Sequence, residues 1–95
     1  MFVILLRFSA NKAAAGEFME AHNAWLKAGF DNGVFLLAGS LQAGAGGGVI
    51  AHSATRSDLE TRVAADPFVL NDVVAYEILE IAPGRTDERL AFLKA

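Results

Sequence analysis

Phe2 to Phe8 is a dense run of apolar and β-branched residues, broken only by Arg7 and without helical period, and it predicts a first strand. The period then changes. Phe18, Ala21, His22, Trp25, Leu26 and Gly29 recur at spacings of three and four, one stripe of an amphipathic helix, while Glu17, Glu20 and Lys27 fall mostly off it. Asn11 is placed to cap this helix, and Asp31-Asn32-Gly33 supplies the turn chemistry that ends it. A second strand follows from Val34 to about Leu41. The glycine-rich segment 42–48 then reads as a flexible hairpin before a third strand from Val49 to Ser53.

Ser57-Asp58-Leu59-Glu60 matches a capping box and opens a second helix. That helix must end near Ala65, because the residue before Pro67 disfavours the α region. Asp66-Pro67 starts a short helical turn through Leu70, Asn71-Asp72 breaks it, and Val73 to Ile81 is the fourth strand. Pro83-Gly84 stops the strand, and a short amphipathic helix is expected from Asp87 to Leu93. The order β-α-β-β-α-β predicts an α+β, ferredoxin-like domain: a four-stranded antiparallel sheet with both helices on one face. One domain is expected over residues 1–95, with its core in 1–83 and a helical tail in 84–95.

The strands do not alternate between apolar and polar. Phe2, Ile4, Leu6 and Phe8 oppose Val3 and Leu5; Val34, Leu36 and Ala38 oppose Phe35, Leu37 and Leu41; Val74, Tyr76 and Ile78 oppose Val73, Ala75, Leu79 and Ile81. Two helices cover one face of a sheet only, so the other face predicts a homodimer formed by sheet-to-sheet packing. The expected C-terminal helix is too short to cover four strands.

Composition narrows the function classes. The chain is 54% hydrophobic and 20% charged, which excludes a disordered chain. Its net charge of −3, with eight scattered basic residues, argues against nucleic-acid binding. Without cysteine there is no disulfide or thiolate chemistry. The opening apolar run is shorter than the about 7–15 residues of a secretory signal and the about 20 of a membrane span, so a cytoplasmic protein is expected, with no membrane partner. Two histidines thirty residues apart do not make a recognisable metal site, and no nicotinamide, flavin or haem signature is present. The glycines of 44–48 lack the Gly-Lys-Ser/Thr ending of a phosphate loop and precede a strand.

His22 is the candidate for chemistry, because it lies within an apolar stripe and faces the sheet. Its structural alternative is a buried, hydrogen-bonded core histidine. Asp66 is the candidate partner, and its alternative is a plain N-cap ahead of Pro67. Arg7, on the Val3–Leu5 face, is a candidate for anionic groups or a snorkelling surface residue. Trp25 and Phe18 are candidates for the core or for a pocket wall. His52, at the end of strand three, ranks below these.

Phe2-Val3-Ile4-Leu5-Leu6, His22-x-x-Trp25-Leu26, Leu37-Ala38-Gly39-Ser40-Leu41 and Asp66-Pro67-Phe68, taken in order, resemble the YciI-related (YCII) family. The resemblance runs to about Pro83 and rests on the order and spacing of these segments together. It implies a dimeric α+β barrel of ferredoxin-like subunits, with an active-site pair at His22 and Asp66. Relatives often carry proline after the glycine where this chain has Ser40, so a hydroxyl there is expected at the pocket edge, with Trp25, Phe68 and Arg7 as further contacts to a small ligand. Lyase-like chemistry on hydroxylated aromatic compounds is associated with some relatives. Three readings follow: a cofactor-free acid–base enzyme, lyase- or isomerase-like, in which Asp66 orients His22; a non-catalytic module that holds a small apolar ligand; or a purely structural subunit in which His22 and Asp66 are fold residues.

Overall fold

The computed structural model describes residues 1–94. Strand β1 (Phe2–Phe8) leads through a 3-10 turn at Lys12–Ala14 into α1 (Ala15–Asp31). Strands β2 (Phe35–Leu41) and β3 (Gly46–Ala51) form a hairpin, followed by α2 (Arg56–Ala64), the one-turn helix α3 (Pro67–Leu70) and β4 (Val74–Glu80). The tail forms 3-10 turns at Glu88–Lys94 instead of an α-helix. All strand pairs are antiparallel and the sheet order is β2-β3-β1-β4, so the expected α+β ferredoxin-like fold is what forms.

The helix-facing side of the sheet is the core. Ile4 and Val49 are partners across β1 and β3, and Ile78 completes the row on β4. Leu59 and Val63, one turn apart on α2, are fully buried with Val73 against this surface. The opposite side carries Val3, Leu5 and Ile50 half-buried, and leaves Leu37, Leu79 and Ile81 exposed by 57%, 43% and 47%. The tail does not close over it. Phe92 meets His52 edge-on at 5.5 Å, and both border a cleft shared with Met1 and Glu80.

Four local expectations change. Asn11 caps no helix: its Nδ2 donates to the Asn71 carbonyl at 2.9 Å, pinning the chain before α1 to the turn before β4. The cap of α2 is Thr55, whose Oγ1 accepts from the Asp58 N–H at 3.0 Å, so the helix starts before Ser57. Strand β3 begins at Gly46: the glycines of 46–48 sit in the ladder between Leu41–Gly39 and Arg7–Leu5, not in a flexible loop. At Gly46 this requires glycine, because φ is +133° and a Cβ would collide with the Leu6 carbonyl. Finally, a bulge between Phe35 and Leu37 breaks the alternation of β2, so Phe35 joins Ala38 and Ser40 on the helix side.

The bulge places the Phe35 ring where α1 must make room for it. The ring packs edge-on against Trp25 at 5.1 Å, and a Cβ on Gly29 would overlap it. Helix propensity alone favours Gly29→Ala by about 1 kcal/mol, whereas forcing a buried ring aside costs about 1–3 kcal/mol. Gly29→Ala should therefore lower stability. Gly16→Ala, on the same helix with open space around its Cβ, should raise it by up to about 1 kcal/mol. Urea denaturation midpoints of the two variants, moving in opposite directions, test this packing.

Candidate active site

Asp66 is built into a backbone motif before it is part of any site. Ending α2 ahead of Pro67 leaves Asp66 extended, with φ −57° and ψ 127°, and its side chain turns back over the first N–H groups of α3. Oδ1 accepts from the Phe68 N–H at 3.0 Å, so the capping role is present. The same Oδ1 lies 2.8 Å from His22 Nδ1. The residue is fully buried, and its second oxygen, Oδ2, has no hydrogen-bond partner among the described residues. The His22 contact and the Phe68 N–H therefore carry the compensation for burying this group.

His22 comes from the middle of α1 and is nine-tenths buried. Its ring lies parallel to Phe68, with centroids 4.0 Å apart and planes 4° apart, and stacks more loosely on Trp25 at 5.7 Å. Trp25 is itself anchored, donating from Nε1 to the Arg62 carbonyl at 2.9 Å. Three separate elements thus hold the imidazole: α1 carries it, α3 supplies the carboxylate and one stacking face, and α2 fixes the tryptophan. An ionised carboxylate can only accept, so beside one the proton of this bond sits on Nδ1; Nε2 has no hydrogen-bond partner among the described residues.

The ring borders a cavity of about 300 Å³ between α1 and the sheet. Phe68 and Ser40 line it with His22; Trp25 borders a different cleft beside α2. Arg7 lies on the other side of the sheet, paired with Glu77 at 2.8 Å. His52 is remote, in the cleft with Phe92. Two cavity residues escaped the sequence reading, Met19 and Asn23. They form with His22 and Leu26 a second helical row, spaced i, i+3, i+4 and i+7, that overlaps the core stripe at His22 and Leu26. A polar residue adjoining a stripe histidine was the available signal. Among the described residues, no group of three or more His, Cys, Asp or Glu is arranged to hold a metal, and no helix is long and apolar enough to cross a membrane.

A model of the YCII-related domain matches residues 1–82. The chain belongs to the YCII-related domain family. Among solved structures, this YCII-related chain is similar to 5-chloro-2-hydroxyhydroquinone dehydrochlorinase (TftG) from Burkholderia phenoliruptrix AC1100, in complex with 2,5-dihydroxybenzoquinone. The TM-score is 0.70 at 16% identity, covering 88% of this chain and 96% of that one. At such identity the likeness establishes the shared fold alone. No curated protein matches the YCII-related chain.

Removing the Asp66 side chain deletes a cap and leaves the buried Nδ1–H unpaired. Asp66→Ala should cost about 2–4 kcal/mol, whereas Asp66→Asn, which keeps an acceptor in place, should cost about 1 kcal/mol. In nitrogen-15 spectra, a slowly exchanging His22 Nδ1–H should be present in the wild type and lost in Asp66→Ala. An Nδ1–H signal that ignores this substitution would mean the bond does not persist in solution.

Proposed function

We propose that this YCII-related protein is a cofactor-free acid–base catalyst of the lyase or isomerase kind, acting on a small aromatic molecule in the cavity beside His22. The observation that supports it is the 2.8 Å contact between His22 Nδ1 and the buried carboxylate of Asp66, at the wall of a cavity large enough for a small ligand. Asp66 accepts the Nδ1 proton and fixes one tautomer. Nε2 is then the nitrogen that removes a proton from the substrate and afterwards returns it or passes it to solvent. Phe68 keeps the ring in plane through its parallel stack, and Trp25 packs on it more loosely. The Ser40 hydroxyl and the Asn23 amide hold the substrate's polar groups.

The active form in this proposal is a cytoplasmic homodimer. Two copies pack through the outer sheet face, burying Leu37, Leu79 and Ile81 against their counterparts. Arg7 belongs to this face and acts in the interface through its pair with Glu77. Sedimentation equilibrium should give the mass of two chains. The double substitution Leu37→Lys and Leu79→Lys should give the mass of one with helical content retained; an unchanged dimer would place the interface elsewhere.

The dehydrochlorination named for the structural neighbour supplies a first assay. A proton abstracted by a base and a chloride expelled from the ring is chemistry that a histidine–aspartate pair can drive. Chloride release and substrate loss should be followed with 5-chloro-2-hydroxyhydroquinone and then with other hydroxylated aromatics. For any compound turned over, His22→Ala should reduce kcat by about 10²–10⁴ with the dimer intact, and Asp66→Asn should reduce it less. Turnover unchanged in His22→Ala would sink the acid–base reading. Saturable binding without turnover across the panel would favour the ligand-binding alternative.

A further inference from the structure

The cavity has one wall without side chains. Gly47 lies between Leu6 on β1 and Ser40 on β2, its register partners on either side. Residues directly opposed in an antiparallel ladder point to the same face. Leu6 is buried against the helices and both partners line the cavity, so a side chain at 47 would enter it. The backbone of Gly47 lies outside the left-handed region, and the nearest atom to an added Cβ is the Gly39 carbonyl oxygen at 3.3 Å. Unlike Gly46, then, Gly47 is not demanded by its backbone. A valine there suits a strand better than glycine does. What glycine provides at this position is space, and a floor of bare peptide in the cavity that His22 also lines.

The remaining walls set the chemistry. Apart from His22, no side chain lining the cavity is ionisable. A protonated His22 is already matched by the Asp66 carboxylate. A carboxylate or phosphate placed here would lose its hydration and gain no cation in exchange, whereas a hydroxyl or carbonyl can be satisfied by Ser40, Asn23 and the free imidazole nitrogen. We propose that Gly47 sets the depth of this cavity and, with the uncharged walls, restricts the ligand to a flat, ring-sized molecule without carboxylate or phosphate. The proposal rests on the acid–base reading for its choice of site, but its test is separable.

Hydroquinone and benzoate, two rings of the same size, serve as probes in amide NMR titrations of the intact protein. Hydroquinone should shift the amides of Gly47, Gly48 and Ser40 in the wild type, and benzoate should bind about tenfold more weakly or not at all. Gly47→Val should weaken hydroquinone binding by about tenfold or more, with cooperative thermal unfolding retained. Gly47→Ala should fall between the two and guards against misfolding of the valine variant. Equal affinities for hydroquinone in all three proteins would overturn the role of Gly47. Equal binding of benzoate, or no shifts with hydroquinone in the wild type, would overturn the ligand class. The acid–base reading fails on different evidence: hydroquinone binding that depends on Gly47, together with turnover indifferent to His22, removes the catalyst and leaves the cavity floor standing.

Discussion

A single oxygen atom, Oδ1 of Asp66, ties together the parts of this molecule on which the site depends. It receives the Phe68 N–H that starts α3 and contacts the His22 ring carried by α1, while Phe68 stacks on that same ring. The three contacts are mutually enforcing. The cap holds α3 where its first residues can stack; the stack holds the imidazole where its Nδ1 reaches the cap. Such an arrangement costs free energy, because the second carboxylate oxygen is buried without a partner among the described residues. A protein that needed only an N-cap would be served as well by serine or threonine, with no orphaned oxygen. The structural use of Asp66 therefore does not account for the whole of what is buried there, and the histidine contact is what distinguishes this residue from an ordinary cap.

The core supports this unit by excluding water behind it. Val63, one turn before Asp66 at the end of α2, and Val73, just after α3, are both fully buried. The α2–α3 junction is thus clamped from both sides in sequence. Trp25 extends the clamp to α2 through the Arg62 carbonyl, so His22 cannot rotate without disturbing three helices. Packing of this kind keeps the imidazole in one orientation.

Much of the architecture was legible in the sequence because its signals are local and redundant. The strand-rich opening, Asp31-Asn32-Gly33 and Asp66-Pro67 each act through backbone chemistry that tertiary contacts do not override. The failures share a cause. Glycine is a poor strand former, yet Gly46–Gly48 complete the ladder because β1 and β2 supply neighbours on both sides, a condition that no local window contains. The bulge moves Phe35 into the core against Gly29 and Trp25, residues of another element that no window around Phe35 contains. Thr55 rather than Ser57 caps α2 because the chain leaving β3 is still extended at 55. At the site, the two readings of Asp66 looked exclusive from spacing alone. They coexist because one oxygen has lone pairs for both donors.

The glycine strand also links the two faces of the sheet. Gly47 opens toward the cavity, while its neighbour Gly48 presents its bare side to the outer face, in contact range of the Leu41 side chain and the Ile4 carbonyl. At this point the strand itself contributes no side chain to either surface of the sheet. In an isolated chain these glycines are half-buried, with Leu41 against the outer side of Gly48. In the proposed dimer the same peptides are backed by the apolar side chains of a second sheet, which fixes the floor and lowers the local dielectric beneath it. An apolar outer face and a cavity with a backbone floor are then two consequences of one design. Under that proposal, the strand that gives up its side chains to admit a ligand would take from a partner subunit the support those side chains would have provided.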